Sequence, residues 1–159
     1  MLQSIVQSLR FVEALAPITP SGSTPDFINM GHYQRCLIVI QVDNASNVTG
    51  SAITLVQATT VSGGSAKTLA FTKMYANTDT AAGDTPTETA VTNNTFTTDT
   101  TNNKNLMYLI EVDSANLDQD NNFKYLRLGT GNAANTIVSA CYVLEGRFTT
   151  IENMPSAIV

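Results

Sequence analysis

The sequence predicts an all-β fold: an antiparallel β-sandwich or jelly roll with extended termini and one long loop excursion. Three observations carry that expectation. Short apolar runs with strand character recur along the 159 residues, separated by stretches rich in Thr, Asn, Gly and Ala. Between them only one helical turn can be read, so the crossover helices that a parallel sheet needs have no place. Thr and Asn together form about a quarter of the chain; Thr suits a pleated, half-buried surface and Asn suits turns.

The elements follow in chain order. Residues 1–26 read as an N-terminal arm. Ile5, Leu9 and Val12 would share a helical face, but Pro17 and Pro20 cut any helix short. Such a segment either closes the domain's own core as an edge strand or terminal helix, or packs on a neighbouring subunit. Residues 19–26 are a loop by their Pro, Ser and Gly content. Phe27 and Ile28 begin a short strand, and Gly31 offers a positive-φ position in the connection that follows. Residues 35–42 (Arg-Cys-Leu-Ile-Val-Ile-Gln-Val) are apolar at both parities, which predicts a central strand buried on both faces.

Residues 53–60 and 67–75, joined by Ser62-Gly-Gly-Ser65, form the clearest hairpin pattern. Residues 76–105 contain few large apolar side chains; Val91 and Phe96 stand nearly alone. This predicts an extended excursion with one or two poorly buried strands near residues 89–98. Residues 106–113 are a second strong strand, with Leu106, Tyr108, Ile110 and Val112 inward. Asp113 or Ser114 caps one helical turn after it. Residues 123–128 and 137–144 are further strands, and 149–159 is a C-terminal tail. By size the whole is a single domain.

Only 13% of residues are charged, and eight basic residues against thirteen acidic ones give a net charge of −5. That leaves no footprint for phosphate backbones, so no nucleic-acid partner is expected. No apolar run is long enough to span a bilayer, and the start lacks the basic-then-apolar layout of a secretory signal, so no membrane partner is expected either.

No arrangement of reactive groups accompanies the strands. His32 is the only histidine. Cys36, the nearest nucleophile, lies about 13 Å further along an extended strand, too far for a hydrogen bond. Cys36 and Cys141 each sit in an apolar run and are expected as buried free thiols. Residues 118–122 (Asp-Gln-Asp-Asn-Asn) start like a calcium loop, but Phe123 and Gly129 occupy the positions that want Gly and Glu. Glu111 and Asp113 share a strand face, without the aromatic cleft that glycoside hydrolysis uses. The expectation is a non-enzyme with no catalytic residues, no cofactor and no metal.

Several stretches resemble one family when taken in order. They are residues 8–17 (Ser-Leu-Arg-Phe-Val-Glu-Ala-Leu-Ala-Pro), 27–40 (Phe-Ile-Asn-Met-Gly-His-Tyr-Gln-Arg-Cys-Leu-Ile-Val-Ile), 109–113, 117–118, 123–127, 142–148 (Tyr-Val-Leu-Glu-Gly-Arg-Phe) and 155–158. The order is similar to small structural proteins of tailed bacteriophages, encoded beside the major capsid gene, some of which are capsid decoration (cement) proteins. The resemblance touches about half the chain, and residues 76–105 have no counterpart in it. It implies a β-rich protein that binds the outside of the capsid shell as a homo-oligomer, with the major capsid protein as partner and the virion surface as location. A tail or neck subunit (terminator, connector or tube protein) is the alternative. A carbohydrate-binding sandwich with Tyr33, Tyr75 and Tyr108 as stacking platforms is another. The expected contact residues are Leu2, Ile5, Leu9 and Phe11 in the arm, Phe148, Ile151, Met154 and Ile158 in the tail, and the Thr-rich excursion.

Overall fold

A computed structural model describes residues 5–22, 25–147 and 156–158. After a single helical turn, α1 (Ile5–Ser8), the chain forms β1 (Leu9–Ile18), β2 (Ile28–Asn29), β3 (Tyr33–Thr49), β4 (Ala52–Ala58), β5 (Lys67–Thr68) and β6 (Lys73–Asn77). It continues through β7 (Thr87–Ala90), β8 (Thr95–Thr97), β9 (Asn105–Asp113), β10 (Tyr125–Thr130) and β11 (Ala134–Gly146). Every strand pairing is antiparallel. One sheet has the order β1-β11-β3-β9-β6-β7; the other is β2-β10-β4-β5, with β8 also on β4. The fold is the all-β sandwich that the sequence predicts.

The core lies between the sheets. β3, β9 and β11 alternate, and their inward positions are Cys36, Ile38, Ile40, Ile110, Tyr108, Tyr142 and Leu144, all essentially inaccessible. Ile53, Leu55, Leu126 and Leu128 meet them from the second sheet. Antiparallel strands with one buried face produce this alternation. The expectation that residues 35–42 are buried on both faces is corrected here. Leu37 and Val39 are only half-buried, because no layer of the described residues covers the outer side of their sheet.

Several buried polar groups at the seam are paired. The Tyr142 hydroxyl, on β11, accepts the backbone N–H of Leu128 on β10 at 2.8 Å. That amide faces the side of β10 where the two-residue β2 has already ended. The Tyr108 hydroxyl likewise accepts the Asp99 N–H at 2.7 Å. Buried Asn44 donates to the carbonyls of Asp99 and Thr101 at 2.9 and 3.0 Å, and its own side-chain oxygen accepts the Thr136 hydroxyl at 2.8 Å. An unpaired buried polar group costs more than such a bond gains, so these contacts fix the loop after β8 against the six-stranded sheet.

The run expected as one strand over 67–75 divides between the two layers. β5 pairs with β4 for two residues; the chain then crosses, burying Leu69 and Phe71, and joins the other sheet as β6. The turn between β4 and β5 takes Gly63 and Ser65 at φ of 84° and 52°. Gly31 does not use a positive φ. Its N–H is instead held by the Asn29 side chain at 2.8 Å.

The excursion over 76–105 is ordered on this chain's own core. β7 extends the six-stranded sheet and β8 pairs with β4. Val91 is buried between them, and the Phe96 ring packs on Phe71 and Tyr108 with centroids 6.4 and 5.2 Å apart. Asp113 caps the 3-10 turn Ser114–Asn116, accepting the Ala115 N–H at 2.8 Å, as expected.

The segment read as an arm is largely sheet. Residues 9–18 are the edge strand β1 along β11, with Ala14 in the core. At the other end Ala157 is buried, and its carbonyl accepts the Asn29 N–H at 2.7 Å. Tail residues 156–158 therefore lie against β2.

Two consequences are measurable. Tyr142→Phe keeps the ring but strands the Leu128 amide, so urea unfolding should show a loss of about 1–3 kcal/mol, with faster hydrogen exchange at Leu128. Gly50 sits where a Cβ would lie 2.3 Å from the Thr98 carbonyl oxygen. Gly50→Ala should therefore force β3–β4 away from β8 and lower the unfolding free energy by about 1–3 kcal/mol.

Candidate interaction surface

The outer side of the six-stranded sheet gives the most distinctive surface. Strand register places its outward residues in rows. Phe11, Val143 and Leu37 lie side by side across β1, β11 and β3. One step along, Cys141, Val39, Leu109 and Tyr75 continue the row across β11, β3, β9 and β6. Met107 lies one step further along β9. Phe11 is 49% exposed and the others are half-buried. A depression of about 540 Å³ opens among Phe11, Leu15, Pro17, Val39, Cys141 and Val143. It lies where β1 slips register between Glu13 and Leu15. Single exposed apolar side chains are ordinary on a protein surface; a contiguous patch with a polar margin marks an interaction site.

Charged groups frame the patch. At one end the Arg35 guanidinium donates to Glu145 at 2.8 Å and to Glu111 at 3.3 Å, and those hydrogen bonds raise its already high pKa, that from Glu145 most. At the β7 edge the Tyr75 hydroxyl donates to Glu88 at 2.9 Å, and Lys73 approaches it at 3.3 Å. The Tyr75 hydrogen bond, then that of Lys73, holds the Glu88 carboxyl below the usual carboxylate range. These pairs are exposed, so they orient the rim more than they stabilise the fold.

The expected contact residues divide three ways. Leu9 and Phe11 are outward positions of β1 and belong to this face. Ile5 is 71% exposed on α1, the turn that enters β1, and Ile158 is 60% exposed beyond Ala157, on the side of the second sheet. Leu2, Phe148, Ile151 and Met154 lie outside the described residues. The residues that sequence reading missed are Leu37, Val39, Met107, Leu109 and Val143. Their signal was present. Three strands of an antiparallel sandwich were apolar at both parities, where one side should have been polar.

Other candidates separate in space. His32 is exposed in the turn before β3, whereas Cys36 points into the core, where burial pushes its thiol far up. Cys141 faces outward and is half-buried, not buried as expected; both thiols are free, on opposite faces of the sheet. Tyr33 and Tyr108 are buried, so two of the three proposed sugar platforms are unavailable to a ligand. Asp118 is engaged by Lys67 and by Asn121. Among the described residues, no group of three or more His, Cys, Asp or Glu is placed to hold a metal ion.

No family model matches the chain, and no curated protein matches it. Among solved structures it is similar to the SPBc2 prophage-derived protein YomS, with 13% identity, 86% of this chain and 93% of that chain covered, and a TM-score of 0.44.

The surface carboxylates give a pH dependence with a definite sign. Asp79, Glu88 and Asp118 are all held below the usual range, first by hydrogen bonds from Lys104, Tyr75 and Lys67 respectively. A depressed folded pKa favours the folded state above the unfolded value, and that contribution is lost as pH falls. The melting temperature should fall between about pH 5 and pH 3. A Lys67→Met, Lys104→Met double variant should show a flatter profile by scanning calorimetry.

Proposed function

We propose that the protein is a structural protein of tailed-bacteriophage virions that binds the outer surface of the capsid shell and stabilises it, as a decoration or cement protein. The observation that carries this reading is the outward apolar face of the six-stranded sheet. Leu37, Val39, Leu109 and Val143 are left half-buried on β3, β9 and β11, three adjoining interior strands of the six-stranded sheet, with no element of the described chain above them. Part of the stretches that resemble the phage family falls on its strands. Residues 35–40 lie in β3, 109–113 in β9 and 142–146 in β11. A protein acting at many equivalent sites on a shell gains avidity from repetition, so each face needs only modest affinity. Self-association, also expected from the resemblance, has Ile5 and Val6 at its disposal, 71% and 73% exposed beside the β1 edge.

The test is reconstitution. Particles lacking the protein, mixed with the purified chain, should take it up to a fixed high copy number and resist heating better. A Val39→Asp, Leu109→Asp variant that still melts cooperatively should lose at least tenfold in affinity. Uptake of only a few copies at one vertex would favour the tail or neck role. No uptake at all would remove the virion reading.

A further inference from the structure

The charge of this chain is unevenly placed. On the outward face of the six-stranded sheet, strand register puts the carboxylates Glu13, Asp43, Glu88, Glu111, Asp113 and Glu145 around the apolar rows. Among the described residues only Arg35 and Lys73 oppose them there. Six acids against two bases leave −4 on this face, out of a net −5 for the whole chain. Everywhere else acids and bases nearly cancel.

We infer that this face is built for a protein surface that is apolar at its centre and rich in lysine or arginine at its margin. The inference deepens the proposed capsid-binding role by naming the partner's chemistry, and it rests on that reading only for the partner's identity. Two physical arguments select this occupant over a second copy of the chain. The first is electrostatic. Packed sheets lie about 10 Å apart, comparable to the Debye length of about 8 Å at physiological salt, so two such faces would meet with only partly screened repulsion. A cationic margin turns the same field into attraction and steering. The second is area. Six strands about 4.8 Å apart and four rows of outward side chains cover about 24 by 20 Å, roughly 500 Å². A stable pair buries about 800 Å² on each partner. One face therefore holds weakly, which suits a repeated site and not a solitary dimer. Anionic lipid and nucleic acid are disfavoured by the same charge.

The experiment uses the full chain and two defined probes. Both are amphipathic helical peptides with the same apolar face and one tryptophan; one carries lysines on its polar face, the other glutamates. The chain contains no tryptophan, so peptide fluorescence reports binding without background. The lysine peptide should bind at least tenfold more tightly, and its affinity should fall as salt rises from 20 to 300 mM. The exposed rim variant Glu13→Gln, Asp43→Asn, Glu111→Gln should lose most of that preference while melting like the parent. Equal binding of the two peptides, or a parent dimer that Val39→Asp dissolves, overturns the inference. The outcomes separate the two readings. A lysine preference without particle uptake sinks the capsid role alone, and particle uptake unaffected by the rim variant sinks this inference alone.

Discussion

The structure depends on the seam where the two sheets meet, and on the hydrogen bonds that cross it. Tyr142 reaches from the long sheet to a backbone N–H of the short one, at the point where β10 has outrun its short neighbour β2. Tyr108 and Asn44 do the same for the loop after β8. Hydrophobic burial brings the layers together without specifying how they align. The hydroxyl and amide contacts supply the alignment, since any sliding of one sheet over the other would leave a buried donor without an acceptor.

That alignment explains how a polar, Thr-rich excursion remains part of a compact body. Between β6 and β9 the chain has too few large apolar residues to form a layer of its own. It places one short strand on each sheet and inserts Val91 and Phe96 at the open side of the core. The turns between these pieces use Asn at positive φ, at Asn93, Asn94 and Asn103, where most side chains would be strained. The Asn content is thus a geometric requirement of the fold and not only a solubilising coat.

Packing one side of β3, β9 and β11 so fully leaves their other side as the molecule's distinguishing surface. The same three strands give the protein its rigidity and its outward apolar rows, so the presented surface is held by the best-paired part of the fold. Acidic groups around it favour some partners and oppose self-stacking.

Much of this was legible in the residues alone. The strand cores at 35–42, 106–113 and 137–144, the Asp113 cap and the Gly63 turn all follow from local alternation and turn chemistry, which act over a few residues. The tertiary structure decided three other things. It divided residues 67–75 between two layers, made residues 9–18 an edge strand, and left Leu37, Val39 and Leu109 facing outward. The physical reason is common to all three. Periodicity reports that a strand has two apolar faces, but a face covered by a second sheet and one turned outward are built from the same side chains, and only the position of the other layer tells them apart.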